Sequence, residues 1–118
     1  MSVEAVRFIF VACVLGAIRA RAAHVHHRRI ARRAKAILVL TQLAQCDCDL
    51  KHFQQICQNA QHGKVNQADV LALTADATLL ENVKYLIGLY ARSATTRGLV
   101  NRAGAVGIST FLSEQEKA

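Results

Sequence analysis

The chain has 118 residues, room for one ordinary domain and not for two. Hydrophobic residues make up 53% and charged residues 19%, and proline is absent, which excludes a disordered chain and argues against a turn-rich all-β sandwich or barrel. The net charge is +7, and its distribution matters more than its size.

Residues 1–45 hold Arg7, Arg19, Arg21, Arg28, Arg29, Arg32, Arg33 and Lys35 against the single acid Glu4, while basic and acidic residues balance over residues 46–118. No carboxylate occurs between Glu4 and Asp47. This asymmetry points to a polyanionic partner for the N-terminal part: phospholipid headgroups, nucleic acid or an acidic protein.

In chain order, Ser2 is placed to cap a helix starting at Val3, with Glu4 in the first turn, where a carboxylate complements the helix dipole. Residues 8–18 (FIFVACVLGAI) are apolar or glycine throughout. As a helix this run measures about 16 Å, roughly half the hydrocarbon thickness of a bilayer. Three readings compete: a short spanning or in-plane membrane anchor, the apolar stretch of a secretory signal, and a helix buried in a bundle or oligomer. The arginines at 19 and 21 fit a signal cleavage region poorly, and Glu4 spoils a basic leading segment, so the anchor is favoured. Its contact residues are Phe8, Ile9, Phe10, Val11, Val14, Leu15 and Ile18. Burying them contributes on the order of 10–20 kcal/mol before entropy. The run therefore calls for lipid, a second copy of the chain, or a partner helix.

Residues 19–44 contain no helix breaker. At 100° per residue Arg21, Arg28, Arg29, Arg32, Arg33 and Lys35 gather on one side, the candidate surface for an anionic partner. Ala23, Ile30, Ala34, Ile37, Leu38 and Thr41 gather opposite, which predicts an amphipathic helix with apolar spacing 30, 34, 37, 41. The apolar breadth of residues 36–44 predicts that this helix enters the core there. His24, His26 and His27 read as exposed members of the basic face, able to add charge as pH falls.

Residues 46–49 (CDCD) read as a connection in which either aspartate can cap the next helix. That helix is predicted over about residues 50–61, with inner stripe Leu50, Phe53, Ile56, Cys57 and Ala60 and a stop at Gly63. A short helix follows over about 67–75, then a break near Asp76, then a helix over 78–92 with inner stripe Leu79, Leu80, Val83, Leu86, Ile87 and Tyr90. Residues 93–98 read as a loop, 99–112 as a helix weakened by Gly104 and Gly107, and 113–118 as a polar tail. The expected fold is all-α: a small bundle of four to five helices with a long, basic N-terminal helix. It divides into an apolar segment 1–18, a basic amphipathic segment 19–45 and a neutral helical module 46–118.

Chemistry-bearing constellations are few. Cys46, Cys48, His52 and Cys57 are candidate zinc ligands, but their spacing, C-x-C-x3-H-x4-C, lacks the paired knuckles of a specific zinc pattern. Cys57 lies on an apolar stripe, where a free thiol packs as a small hydrophobe. Cysteines as close as 46 and 48 bridge only with strain, so no disulfide framework is expected. No Gly-x-Ser-x-Gly elbow, phosphate-cradling glycine loop or His-Glu-x-x-His motif is present, and neither enzymatic activity nor a cofactor is expected. The sequence thus reads as a small helical adaptor or interaction protein. Its apolar N-terminal helix holds it at a membrane or membrane protein, with the bulk of the chain on the cytoplasmic side and the Arg/His-rich helix against anionic headgroups or an acidic partner. A homo-oligomer or a helical protein partner is expected. The alternative is a soluble, cytoplasmic, oligomeric nucleic-acid-binding module using the basic helix. The scarcity of aromatics among the cations leaves it phosphate contacts rather than base stacking.

Overall fold

A computed structural model describes the backbone of residues 3–117 and the side chains of residues 24–117. Six helices occur among the described residues: α1 (Val3–Gln45), α2 (Leu50–Gln61), α3 (Gln67–Leu71), α4 (Ala77–Arg92), α5 (Ala94–Val106) and α6 (Ile108–Lys117). There is no strand among them, so the chain is all-α, with one helix more than the bundle expected from the sequence.

Short polar side chains set the boundaries. Asp49 accepts the Lys51 backbone N–H at 2.9 Å to start α2, and Asn66 accepts that of Ala68 at 3.0 Å to start α3. Asp76 accepts from both Thr78 and Leu79 to start α4. These are the orphan N–H groups that any helix leaves at its beginning. The end of α1 is a Schellman turn: Cys48 N–H returns to Leu43 C=O at 3.0 Å, Asp47 N–H returns to Ala44 C=O at 3.2 Å, and Asp47 takes the left-handed φ of 59°.

The C-terminal third differs from expectation. Ser93 is at once the last cap of α4 and the first cap of α5, its Oγ accepting from Thr96 N–H. The predicted loop 93–98 is therefore a sharp corner between two helices. The corner holds because Arg97 Nη1 donates to two carbonyls of the last turn of α4, Tyr90 O at 3.0 Å and Ala91 O at 3.3 Å, work that a longer loop would leave to water. Gly107, at φ 85° and ψ 163°, divides the predicted 99–112 segment into α5 and α6. The expected polar tail continues α6 to Lys117, because Phe111 anchors that helix in the core and Arg102 on α5 ties down Glu114, Nε donating to Oε2 at 2.9 Å.

The chain divides into two units, Met1–Arg32 and Arg33–Ala118. Of the first, residues 24–31 are exposed throughout. In the second, α2 packs on α4 and α5, α3 on α4, and α5 on both α4 and α6. Phe53, Tyr90 and Phe111 fill the centre, surrounded by Leu86, Val83, Val100 and Ala103. α2 and α5 approach closely at Gly104, where an added Cβ would come within 2.5 Å of Gln54 Oε1. The stripes read from α2 and α4 are those buried, with Leu89 added and with Ala60 and Leu80 at the margin of the core.

The second unit begins inside α1, whose Ala36, Val39, Leu40 and Leu43 are at most 1% exposed. The chain thus enters the core at residue 36, as the apolar breadth of residues 36–44 predicts, but by a different face. Ile30 is 52% and Leu38 55% exposed, Ala34 is exposed, and Ile37 and Thr41 are half-buried. The spacing 30, 34, 37, 41 is therefore not the buried stripe. Residues 36–40 (AILVL) are apolar on every side, so periodicity there selects no face, and the shape of the surface offered by the other helices decides.

Candidate functional site

The correction in α1 changes what the cationic residues are attached to. Arg33, Ala36, Leu40 and Leu43 follow one another at intervals of three, four and three, one continuous row on a helix. The row is charged at Arg33 and buried from Ala36 onward.

The six cations of the expected anionic-partner surface fall into three groups. Arg21 lies outside the described side chains. Arg28 and Arg29 are exposed and Arg32 is half-exposed. Arg33 and Lys35 are committed within the second unit. Arg33 Nη2 donates to Gln115 Oε1 on α6, and Lys35 Nζ stands 4.3 Å above the centroid of the Tyr85 ring on α4. At an exposed site such a cation–π contact is worth about 0.5–1 kcal/mol. The two ion pairs among the described residues, Lys84–Glu81 and Arg102–Glu114, involve none of these six cations. His24, His26 and His27 are exposed beside them, the rings of the last two 6.2 Å apart and tilted. This surface offers dense positive charge on a helix, flanked by exposed Val25 and Ile30. What it can do is bind a polyanion through point charges.

The membrane or oligomer contacts Phe8, Ile9, Phe10, Val11, Val14, Leu15 and Ile18 also lie outside the described side chains. Among the described residues no helix is long and apolar enough to cross a membrane.

The candidate metal ligands are not gathered. Cys57 is wholly buried in α2, and burial pushes its thiol up to about 12. His52 is exposed on the same helix, and Asp49 starts that helix after Cys48, so Cys48 and His52 do not share a helical face. Cys48 is half-buried; burial first, then neighbouring Asp49 and Cys46, raises its thiol above the usual value. Cys46 is exposed. No three His, Cys, Asp or Glu side chains converge among the described residues. With protonation favoured at Cys48 and Cys57, these two are poor thiolate donors at neutral pH.

Two concavities escaped the sequence reading because each is assembled from distant segments. One, of about 460 Å³, lies between the α1–α2 turn and the α5–α6 turn, with Cys48, Lys51, Val106 and Ile108 in its lining. The other, of about 180 Å³, lies between the end of α1 and the start of α4, and is lined by Gln42, Cys46, Asp76 and Asn82. Gln42 Oε1 is buried without a hydrogen-bond partner. Asp49 and Asp76, the carboxylates of the two concavities, are engaged in capping. Neither concavity holds a histidine. A half-buried polar contact between helices lies elsewhere: Tyr90 OH donates to Asn101 Oδ1 at 2.9 Å, and Gln54 Nε2 donates to the same oxygen at 3.2 Å. It joins α2, α4 and α5 and serves packing.

No family model, no curated protein and no solved structure matches this chain.

Proposed function

We propose that this is a non-enzymatic helical interaction protein that works at a membrane. The apolar run 8–18 enters the bilayer, the following cationic segment lies against anionic headgroups on the cytoplasmic side, and the module formed from residue 33 onward meets a protein partner. The observation that carries this reading is the exposure of Arg28, Arg29 and, in part, Arg32 within ten to fourteen residues of an 11-residue apolar run. A cation of this kind gains about 1 kcal/mol beside an anionic leaflet. A run too short to span comfortably gains most from headgroup contacts at its end. Phosphate contacts to nucleic acid use the same cations but leave the apolar run in water.

Fractionation of cells expressing the full chain tests the reading. The protein is expected in the membrane pellet, resistant to high salt and to alkaline carbonate. Replacing Arg28, Arg29 and Arg32 by Gln is expected to weaken binding of the purified chain to phosphatidylserine vesicles while leaving weak binding to neutral ones. Full recovery in the soluble fraction before any wash overturns the proposal, as does salt-sensitive binding to duplex DNA or RNA without binding to vesicles.

A further inference from the structure

Resting on the membrane reading above, we infer that pH sets how strongly the cationic segment holds an anionic membrane surface, through His24, His26 and His27. Three of the chain's five histidines fall within residues 24–27. All three side chains are exposed, as is every residue from 24 to 31. On α1, His24 stands four residues before Arg28, and Arg28 four before Arg32, while His26 stands three before Arg29. Residues at these intervals are neighbours on a helix, so Arg28 and Arg29 each have an imidazole one turn away. Imidazole is the side chain whose charge ordinarily changes between pH 5 and 8. As pH falls, the guanidinium groups of Arg28, Arg29 and Arg32 are joined by imidazolium groups on the same exposed segment.

The surroundings leave this added charge to an outside anion. The charged side chains that follow on the same helix are Arg28, Arg29 and Arg32, Arg19 and Arg21 precede in the sequence, and no carboxylate lies between Glu4 and Asp47. The two ion pairs among the described residues, Lys84–Glu81 and Arg102–Glu114, take no part of this segment. The rings of His26 and His27 stand 6.2 Å apart. Like charges a helical turn apart oppose one another, and a polyanion laid against the segment relieves that repulsion. A partner that binds the protonated form more tightly draws protons from solution as it binds. An anionic leaflet meets this requirement with exposed, unanchored side chains, because its potential acts on every cation within a Debye length and asks for no fixed geometry. The other two histidines differ in setting: His52 on α2 and His62 at its end have no arginine within a turn of them in the sequence.

Equilibrium binding of the purified full chain to lipid vesicles tests this pH dependence. Phosphatidylglycerol serves as the anionic lipid, because its phosphate keeps its charge across the range, and phosphatidylcholine vesicles report the apolar run alone. A cation beside an anionic leaflet contributes roughly five-fold in affinity. Going from about pH 7.5 to about pH 5.5 is therefore expected to tighten binding to phosphatidylglycerol by on the order of fifty-fold, with binding to phosphatidylcholine unchanged. The triple variant His24→Gln, His26→Gln and His27→Gln alters only exposed side chains. It is expected to keep its helicity and its affinity at the higher pH and to lose the rise, whereas His52→Gln with His62→Gln keeps the rise. An affinity for anionic vesicles that does not change with pH overturns the inference and leaves the membrane reading standing, as does a rise that survives the triple variant. No binding to anionic vesicles at either pH overturns the membrane reading and the inference with it, and pH-dependent binding to duplex DNA in its place has the same consequence.

Discussion

At the scale of single residues, two positive φ angles make opposite predictions. Asp47 at φ 59° occupies the position after a helix that glycine fills at least cost, and its carboxylate sits at the negative end of α1. Asp47→Gly is expected to raise stability by about 0.5–1 kcal/mol in urea denaturation. Gly107, at φ 85° and ψ 163°, lies where essentially only glycine is comfortable, although an added Cβ would meet nothing within 4 Å. Gly107→Ala is expected to lower stability by about 1–3 kcal/mol, entirely through the backbone. The sequence showed the glycine as a break but gave no sign that an aspartate holds the same kind of conformation. Cys57 supplies a pH dependence. Its thiol is raised from 9.0 to about 12 by burial. The unfolded chain therefore releases this proton first as pH rises, so the stability it contributes is full below pH 9 and declines between there and 12. Equilibrium unfolding should show a loss of about 1.4 kcal/mol per pH unit in that window, absent in Cys57→Ala.

At the scale of elements, the caps were legible and the faces only partly so. Asp49, Asn66 and Asp76 announce helix starts because a short polar side chain satisfies local backbone donors whatever packs around it. The inner stripes of α2 and α4 were legible because polar residues mark their outer sides. α1 lacks that contrast over residues 36–40, and arginines one turn earlier make the wrong side look outward. The assignment is checked directly by a pair of substitutions. Leu40→Ala opens space in the core and is expected to cost about 2–5 kcal/mol. Leu38→Ala, two residues away but 55% exposed, is expected to change the stability of the second unit by no more than about 0.5 kcal/mol. Thermal unfolding of the two variants in parallel distinguishes the faces. Equal losses would contradict the burial of α1 described above.

For the whole molecule, the boundary that matters falls inside a helix. The sequence suggested a module beginning at residue 46, where the cysteines and aspartates interrupt the pattern. The compact unit begins at Arg33, because Ala36, Val39, Leu40 and Leu43 complete the core around Phe53 and Tyr90. A fragment of residues 33–118 is accordingly expected to unfold cooperatively. A fragment of residues 46–118 is expected to retain helix but lose the sharp transition, since it exposes the apolar surface those four residues cover. Circular dichroism and calorimetry on the two fragments check this. A cooperative transition in the shorter one would place the boundary back at the turn.

The amino-acid sequence by itself determined the all-α class, the positions of the caps, the inner stripes of α2 and α4, and the confinement of net charge to residues 1–45, since each depends on composition or on neighbours a turn away. Only the tertiary structure decided which face of α1 is buried, that Arg33 and Lys35 are held by Gln115 and Tyr85, and that residues 93–98 fold as a helical corner. Those outcomes depend on surfaces brought together from segments 50 to 80 residues apart, or on an arginine that caps a helix from the next element. Local periodicity carries no information about either, because the free energy that selects them is gained only when the separate helices meet.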